Sequence, residues 1–253
     1  GVLAFNMARH LANEGAKIIL MDLDKKTKKK NAKTIIDKGG SAYSYKVNVL
    51  DKSEVLDTAK KLEEEFQHID VLINAAGGNV KGSTLQPDQE VFDIDFDMLK
   101  VALDLNLIGT ILPTLQIGRL MTRNKSGSII NISSMAASSA ITRVMGYSVA
   151  KAGVENFTRW MAMEMAMKYG DGIRVNAIAP GFFIGKQNYH LLINEDGSYT
   201  ERAQAIINKT PMRRFGNHEE LNGMVHFLAS PAASFMTGTV TPIDGGFSSF
   251  SGV

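Results

Sequence analysis

Three residues in the middle of the chain have the side chains and the spacing of a proton-transfer site. Ser134 offers a hydroxyl, Tyr147 follows thirteen residues later with a phenol, and Lys151 follows four residues after that with an ammonium. If residues 147–151 are helical, this spacing places phenol and ammonium on one face. A neighbouring cation favours the phenolate and lowers the tyrosine pKa towards neutrality. We therefore predict an acid/base pair; a helix-start tyrosine beside a solvated lysine is the structural alternative.

The elements that must hold this pair are those of an open α/β sheet. Residues 127–134, GSIINISS, predict a buried strand that ends in hydroxyls, which places Ser134 at a strand's carboxyl end, where such sheets bind ligands. Residues 17–22, KIILMD, predict a buried parallel strand that ends in Asp22. Asp22 stands 21 residues after Gly1, a spacing that suits a carboxylate binding both ribose hydroxyls of a dinucleotide and repelling the extra phosphate of NADP. We therefore expect NAD as cofactor.

Further motifs make the chain resemble the short-chain dehydrogenase/reductase family. Its Ser and Tyr-x-x-x-Lys signature is matched by Ser134, Tyr147 and Lys151, and the other matches are Asn74-Ala-Ala-Gly77 to its N-A-G motif, Asn106 to its catalytic asparagine and Pro180-Gly181 to its P-G turn. The resemblance covers essentially all 253 residues. It implies an α/β fold: one doubly wound Rossmann-like domain, 1–253, with a seven-stranded, mostly parallel sheet between two helix layers, the first strand lying outside this sequence.

The resemblance also implies roles for the four catalytic positions. In the oxidative direction Tyr147 takes the hydroxyl proton while the hydride leaves for the nicotinamide, and Ser134 holds the same oxygen. Lys151 binds the nicotinamide ribose and lowers the tyrosine pKa. Asn106 kinks a long helix, predicted over residues 96–121 with an interruption at Pro113, and holds a water that relays protons to the lysine.

A cofactor groove is implied along the strand ends. The predicted cofactor-binding residues are Gly1, Leu3, Asp22, Asn48, Val49, Asn74, Ala76, Gly77, Tyr147, Lys151, Pro180 and Phe183. The chain departs from the family pattern at two places. Val2 and Ala4 stand where the last two glycines of the phosphate-binding turn are usual, and Gly185 replaces a threonine that often touches the nicotinamide carboxamide.

The substrate is predicted from the long irregular stretch 184–211, which is typical of a lid, and from polar residues around it. Motifs such as Thr142-Arg143 resemble the D-mannonate oxidoreductase (fructuronate reductase) branch of the family. A sugar acid needs a cation and amides, and we rank Arg143 above Lys81 because a guanidinium binds both carboxylate oxygens. The predicted substrate residues are Asn79, Arg143, Gln187 and Asn188.

Other functions remain open at this point. Gluconate 5-dehydrogenase and 3-oxoacyl-carrier-protein reductase share every catalytic residue named above, and a non-catalytic nucleotide-sensing protein could use the same scaffold. Cofactor turnover measured with each candidate substrate would distinguish these functions.

Composition excludes several classes of site. The chain has no cysteine, which excludes disulfides and thiol catalysis, and a net charge of +2, which is too small to argue for nucleic acid. We predict no metal site, no membrane span and a cytoplasmic location. A homotetramer is expected from the resemblance, and the aromatic tail 247–253 is expected to pack at a subunit contact.

Overall fold

Strands and helices alternate along the chain, as the sequence pattern predicts. The computed structural model describes residues 1–185 and 188–252, so the predicted substrate residue Gln187 lies outside the described residues. The strands are β1 (Lys17–Asp22), β2 (Ser41–Lys46), β3 (Val71–Asn74), β4 (Gly127–Ile132), β5 (Ile173–Pro180) and β6 (Val240–Ile243). The helices are α1 (Val2–Asn13), α2 (Lys25–Ile36), α3 (Lys52–Phe66), α4 (Phe96–Leu103), α5 (Gly109–Ile117), α6 (Met145–Tyr169), α7 (Tyr189–Leu192), α8 (Glu201–Lys209) and α9 (Asn222–Ala229).

The described strands are all parallel and form two sheets. One sheet pairs β1 with β2, and the other has the order β3-β4-β5-β6. Residues 18–22 and 69–74 border the gap between β1 and β3, which is the position expected for the predicted first strand, the one that lies outside this sequence. The number of seven strands stays a prediction. Because every strand runs the same way, all carboxyl ends lie at one edge.

Two helix layers cover the larger sheet, as predicted. Neighbouring residues of a strand face opposite sides, so Ile129 of β4 packs among residues of α3, α5 and α6, whereas Ile130 packs among residues of α1 and α9. All eight residues of β5 are buried, which is typical of a central parallel strand. The α2 helix begins with an N-cap at Asp24, whose side chain accepts a hydrogen bond from the Lys26 amide at 2.9 Å.

The long helical run 96–122 carries Asn106 and differs from prediction in where it is irregular. The irregularity is a π turn over Asp104–Ile108, and Pro113 lies inside α5. By length and composition this run could cross a membrane, although the sequence analysis predicted no such segment. In the fold α5 packs against α3 and α4 against α6, as core helices of a soluble domain do. A π turn adds one residue to the helix and is frequent at functional sites.

The expectation for the aromatic tail is wrong at Phe247. Its side chain is buried within the same chain against Met135, and its ring centroid lies 5.3 Å from that of Phe182. Phe250 lies beside Lys209, whose ammonium is 5.1 Å from the ring centroid. Phe247 therefore packs in the cluster that Tyr147 contacts, within the same chain, and is not exposed for a subunit contact.

Candidate active site

The predicted acid/base pair is assembled at the start of α6. Tyr147 and Lys151 lie on its first turns, with the Lys151 ammonium 5.6 Å from the centroid of the Tyr147 ring. Lys151 is buried and donates to the Ile132 carbonyl at 2.8 Å, which ties it to the carboxyl end of β4. Ser134 follows that strand and forms a side-chain hydrogen bond with Tyr147. Hydroxyl, phenol and ammonium therefore share one site.

Burial dominates the protonation of this pair. It raises the pKa of Tyr147, and the hydrogen bond with Ser134 offsets only part of that rise. Burial also lowers the pKa of Lys151 to about 8. The sequence analysis expected the lysine to pull the tyrosine pKa down, and the direction in the free protein is the opposite. Desolvation of the phenol has a larger effect on its pKa than the hydrogen bond with Ser134, and the Lys151 ammonium donates to the Ile132 carbonyl.

Asn106 is held by backbone groups. Its side-chain carbonyl accepts from the Gly78 amide at 2.8 Å, and its NH₂ group donates to the Gly78 carbonyl at 3.0 Å and the Ala102 carbonyl at 2.9 Å. The bonds to Gly78 fix the glycine segment after β3 against the π turn. The predicted water relay stays a prediction, but it would have to use the second lone pair of the asparagine oxygen.

Gly77 shows how closely this segment packs. A Cβ on Gly77 would lie 2.6 Å from the Asn106 Oδ1 atom and 3.4 Å from the Lys151 Nζ atom, and its φ is +147°. Only glycine fits such a position without strain. The backbone thus forms a bare wall beside Lys151, as a dinucleotide needs for close approach.

Most predicted cofactor residues border the gap between the two sheets. They are Gly1, Asp22, Asn48, Val49, Asn74, Ala76 and Gly77. Gly1 lies at the N-terminus of α1, where backbone amides favour a phosphate. Leu3, by contrast, packs its side chain into the hydrophobic cluster of α1 and α9, so a contact from Leu3 would come from its backbone.

Asp22 has one carboxylate oxygen with no hydrogen-bond partner among the described residues. It ends β1, and its Oδ1 atom accepts from the Asp24 amide at 2.9 Å, which orients the group. Leu23 follows and is exposed, so no cation stands at the position after the acid. Asn48 lies across from it after β2, with its oxygen accepting from the Leu50 amide at 3.1 Å.

The side chain of Asn74 has a structural task that the sequence did not reveal. Its amide donates to Thr114 at 2.8 Å and to Asn131 at 2.9 Å, and Asn131 donates to Thr158 at 2.9 Å. This buried network joins β3, β4, α5 and α6 behind the site. In the sequence, the hint of this network was Asn131, an amide within the mostly apolar strand 127–132. A cofactor contact at Asn74 would therefore use its backbone.

Two further predicted residues have other roles in the structure. Phe183 forms a β-bridge with Gly216 and packs its ring in the core, and its predicted cofactor contact stays a prediction. Asn188 accepts from the Gly185 amide at 2.7 Å and donates to the Phe183 carbonyl at 2.9 Å. These bonds shape the turn after Pro180, which ends β5.

Arg143 is fixed on the segment that precedes Tyr147 in the chain. It has a φ of +77°, uncommon for a residue with a side chain, and its guanidinium donates to the Leu85 carbonyl and the Gln86 side chain, both at 2.8 Å. These bonds attach the loop after Gly78 to the residues before Tyr147. Asn79 and Lys81 on that loop are exposed.

The lid predicted over 184–211 contains α7 and α8. Leu192, Ala203, Ile206, Ile207 and Phe215 form a small core of its own. Elsewhere in the fold, ligand atoms of His10, Glu14 and His226 lie within 4.8 Å of one another where α1 and α9 pack together.

Comparison with known proteins identifies the family. The family model described as enoyl-(acyl carrier protein) reductase matches residues 2–248. An uncharacterized oxidoreductase of Haemophilus influenzae is 41% identical over 100% of this chain and 92% of its own length. The chain belongs to the short-chain dehydrogenase/reductase family. It is therefore an NAD(P)-dependent oxidoreductase acting on CH–OH groups, and the predicted Rossmann-like fold is confirmed.

Other short-chain dehydrogenases resemble the chain over nearly all its length. A 3-oxoacyl-[acyl-carrier-protein] reductase of Synechocystis is 36% identical over 85% of this chain and 80% of its own. A crystal structure of a candidate D-mannonate oxidoreductase from Haemophilus influenza, with bound NAD, has a TM-score of 0.92 and 41% identity over 100% of this chain and 93% of that one. A gluconate 5-dehydrogenase from Burkholderia cenocepacia, in complex with NADP and tartrate, has a TM-score of 0.86 and 28% identity over 98% and 91%.

Proposed function

We propose that this short-chain dehydrogenase interconverts the alcohol and ketone of a sugar acid, D-mannonate and D-fructuronate, with NAD. The observation that carries the proposal is Arg143, a fixed guanidinium four residues before Tyr147. A guanidinium suits a carboxylate, and the similar structure from Haemophilus influenza is described for the same substrate. Gluconate 5-dehydrogenase and 3-oxoacyl-carrier-protein reductase remain the alternatives.

The chemistry of the chain's own residues follows from their positions. The bound nicotinamide supplies the hydride acceptor or donor. Tyr147 removes the hydroxyl proton during oxidation and returns it during reduction, while Ser134, already hydrogen-bonded to Tyr147, holds the substrate oxygen. Lys151 offers a buried ammonium to the nicotinamide ribose, and Gly77 lets the cofactor come close.

The substrate proposal is tested with three ketones. D-fructuronate, 5-ketogluconate and an acetoacetyl thioester are each assayed with NADH. We expect fructuronate to give the highest kcat/KM. Activity confined to the thioester would contradict the sugar-acid proposal, and a preference for 5-ketogluconate would favour the gluconate alternative.

Asp22→Ala should reduce the preference for NAD over NADP by about tenfold, because the carboxylate both binds the ribose and repels the extra phosphate. The measurement is kcat/KM for both cofactors. Asp24→Ala is the matched control, since it removes an equal charge two residues away but serves only to cap α2. Equal efficiency with NAD and NADP in the unaltered enzyme would refute the cofactor proposal.

We also propose a cytoplasmic homotetramer that uses the outer face of α6. Trp160, Met163 and Met167 are 50%, 46% and 79% exposed and share one side of that helix. Such an apolar face is typical of a subunit contact. Trp160→Glu should therefore yield smaller particles in light scattering, whereas Phe235→Glu, at an exposed aromatic elsewhere, should not. An unaltered protein that is monomeric at micromolar concentration would exclude the tetramer.

A further inference from the structure

We infer that Arg202 joins Arg143 in a two-guanidinium site for the substrate carboxylate, an inference that rests on the proposed sugar-acid function. Arg202 lies on the first turn of α8 in the lid, far from Arg143 in sequence. Its Nη1 atom donates to the Thr142 hydroxyl at 3.0 Å, and Thr142 directly precedes Arg143. The lid and the segment before Tyr147 thus meet at two arginines.

The charge of this pair lacks a counter-ion in the described residues. Neither Arg143 nor Arg202 forms an ion pair with an acid among residues 1–185 and 188–252. The two guanidiniums are near enough that Arg143 adds to burial in lowering the pKa of Arg202. Two adjacent cations, one half-buried, are destabilising unless an anion lies between or beside them.

The two arginines have enough unused N–H donors to bind such an anion. Arg143 uses two N–H groups, on the Leu85 carbonyl and the Gln86 side chain, and Arg202 uses one on Thr142. Because a guanidinium has five N–H donors, several remain free on each residue. A carboxylate accepts at about four lone-pair positions, so it can be shared by both forks.

The two arginines come from different parts of the fold. Arg143 is held before Tyr147 by the loop at 85–86, and Arg202 is presented by the lid, whose small core includes the neighbouring Ala203. A substrate carboxylate bound to both would contact the lid and the segment that precedes Tyr147 together.

The test is Arg202→Gln in the full chain, with Lys168→Gln as a control that removes the same charge from an exposed position at the far end of α6. KM is measured for D-fructuronate and for a neutral ketose of similar size. We expect Arg202→Gln to raise the KM for the acid about tenfold or more, with little change for the neutral ketose or in NADH binding, and Lys168→Gln to change neither.

Each other outcome contradicts the inference. An equal rise for acid and neutral ketose means that Arg202 only supports the lid, and no rise for the acid means that Arg143 acts without it. A sugar phosphate that is reduced with a lower KM than the acid, in an Arg202-dependent manner, would assign the pair to phosphate instead. If the unaltered enzyme reduces no sugar acid, the proposed function fails first, and that result is distinct from an active enzyme insensitive to Arg202.

Discussion

Tyr147→Phe should lower turnover by at least about a hundredfold, the usual cost of deleting a general acid/base. The phenol is the group within hydrogen-bond reach of Ser134 that can exchange a proton with the substrate oxygen, and phenylalanine keeps its ring but not its hydroxyl. NADH binding, followed by fluorescence, should remain close to that of the unaltered enzyme. Steady-state kcat in both directions is the measurement.

Tyr169→Phe is the matched control for this variant. It makes the same change at the other end of α6, away from Ser134, and should leave kcat unchanged. A Tyr147→Phe enzyme that retains more than a tenth of its turnover would show that another group transfers the proton.

Lys151→Met should cause a loss of about a hundredfold in kcat/KM, comparable to the removal of one preorganised charged donor from an active site. Methionine fills the same buried space but carries no ammonium for the ribose, and it leaves the Ile132 carbonyl without its donor. Cofactor binding should weaken as well, which separates this variant from Tyr147→Phe. Lys168→Met, at an exposed position on the same helix, should behave like the unaltered enzyme.

The same lysine gives a stability signature in the cofactor-free protein. Burial lowers its pKa to about 8 in the folded protein from the ordinary lysine value of 10.5, so between these values the unfolded chain binds the extra proton. The contribution of Lys151 to the free energy of unfolding therefore rises with pH through that window and is constant outside it. Lys151→Met should remove this part of the pH dependence in denaturant titrations. An unchanged slope would show that Lys151 is not buried as described.

The sequence by itself determined the features that depend on local pattern. The four-residue spacing of Tyr147 and Lys151 fixes them on neighbouring turns of any helix, and the apolar run that ends in Asp22 fixes that acid at a strand end. The N-cap at Asp24 was equally predictable, because its hydrogen bond spans two residues. These signals sufficed for the fold class, and they place the predicted catalytic residues on their elements.

Only the tertiary structure decided how the polar side chains divide their hydrogen bonds. The amides of Asn74, Asn106 and Asn188 look equally available in the sequence, yet the fold places backbone or side-chain partners within about 3 Å of each. Phe247 likewise became core when the tail returned to Met135. Arg202 meets Thr142 across 60 residues, a distance over which no periodicity carries information. Long-range contacts are set by packing of whole elements, so a residue's type shows what it can bind, and its neighbours in space determine what it does bind.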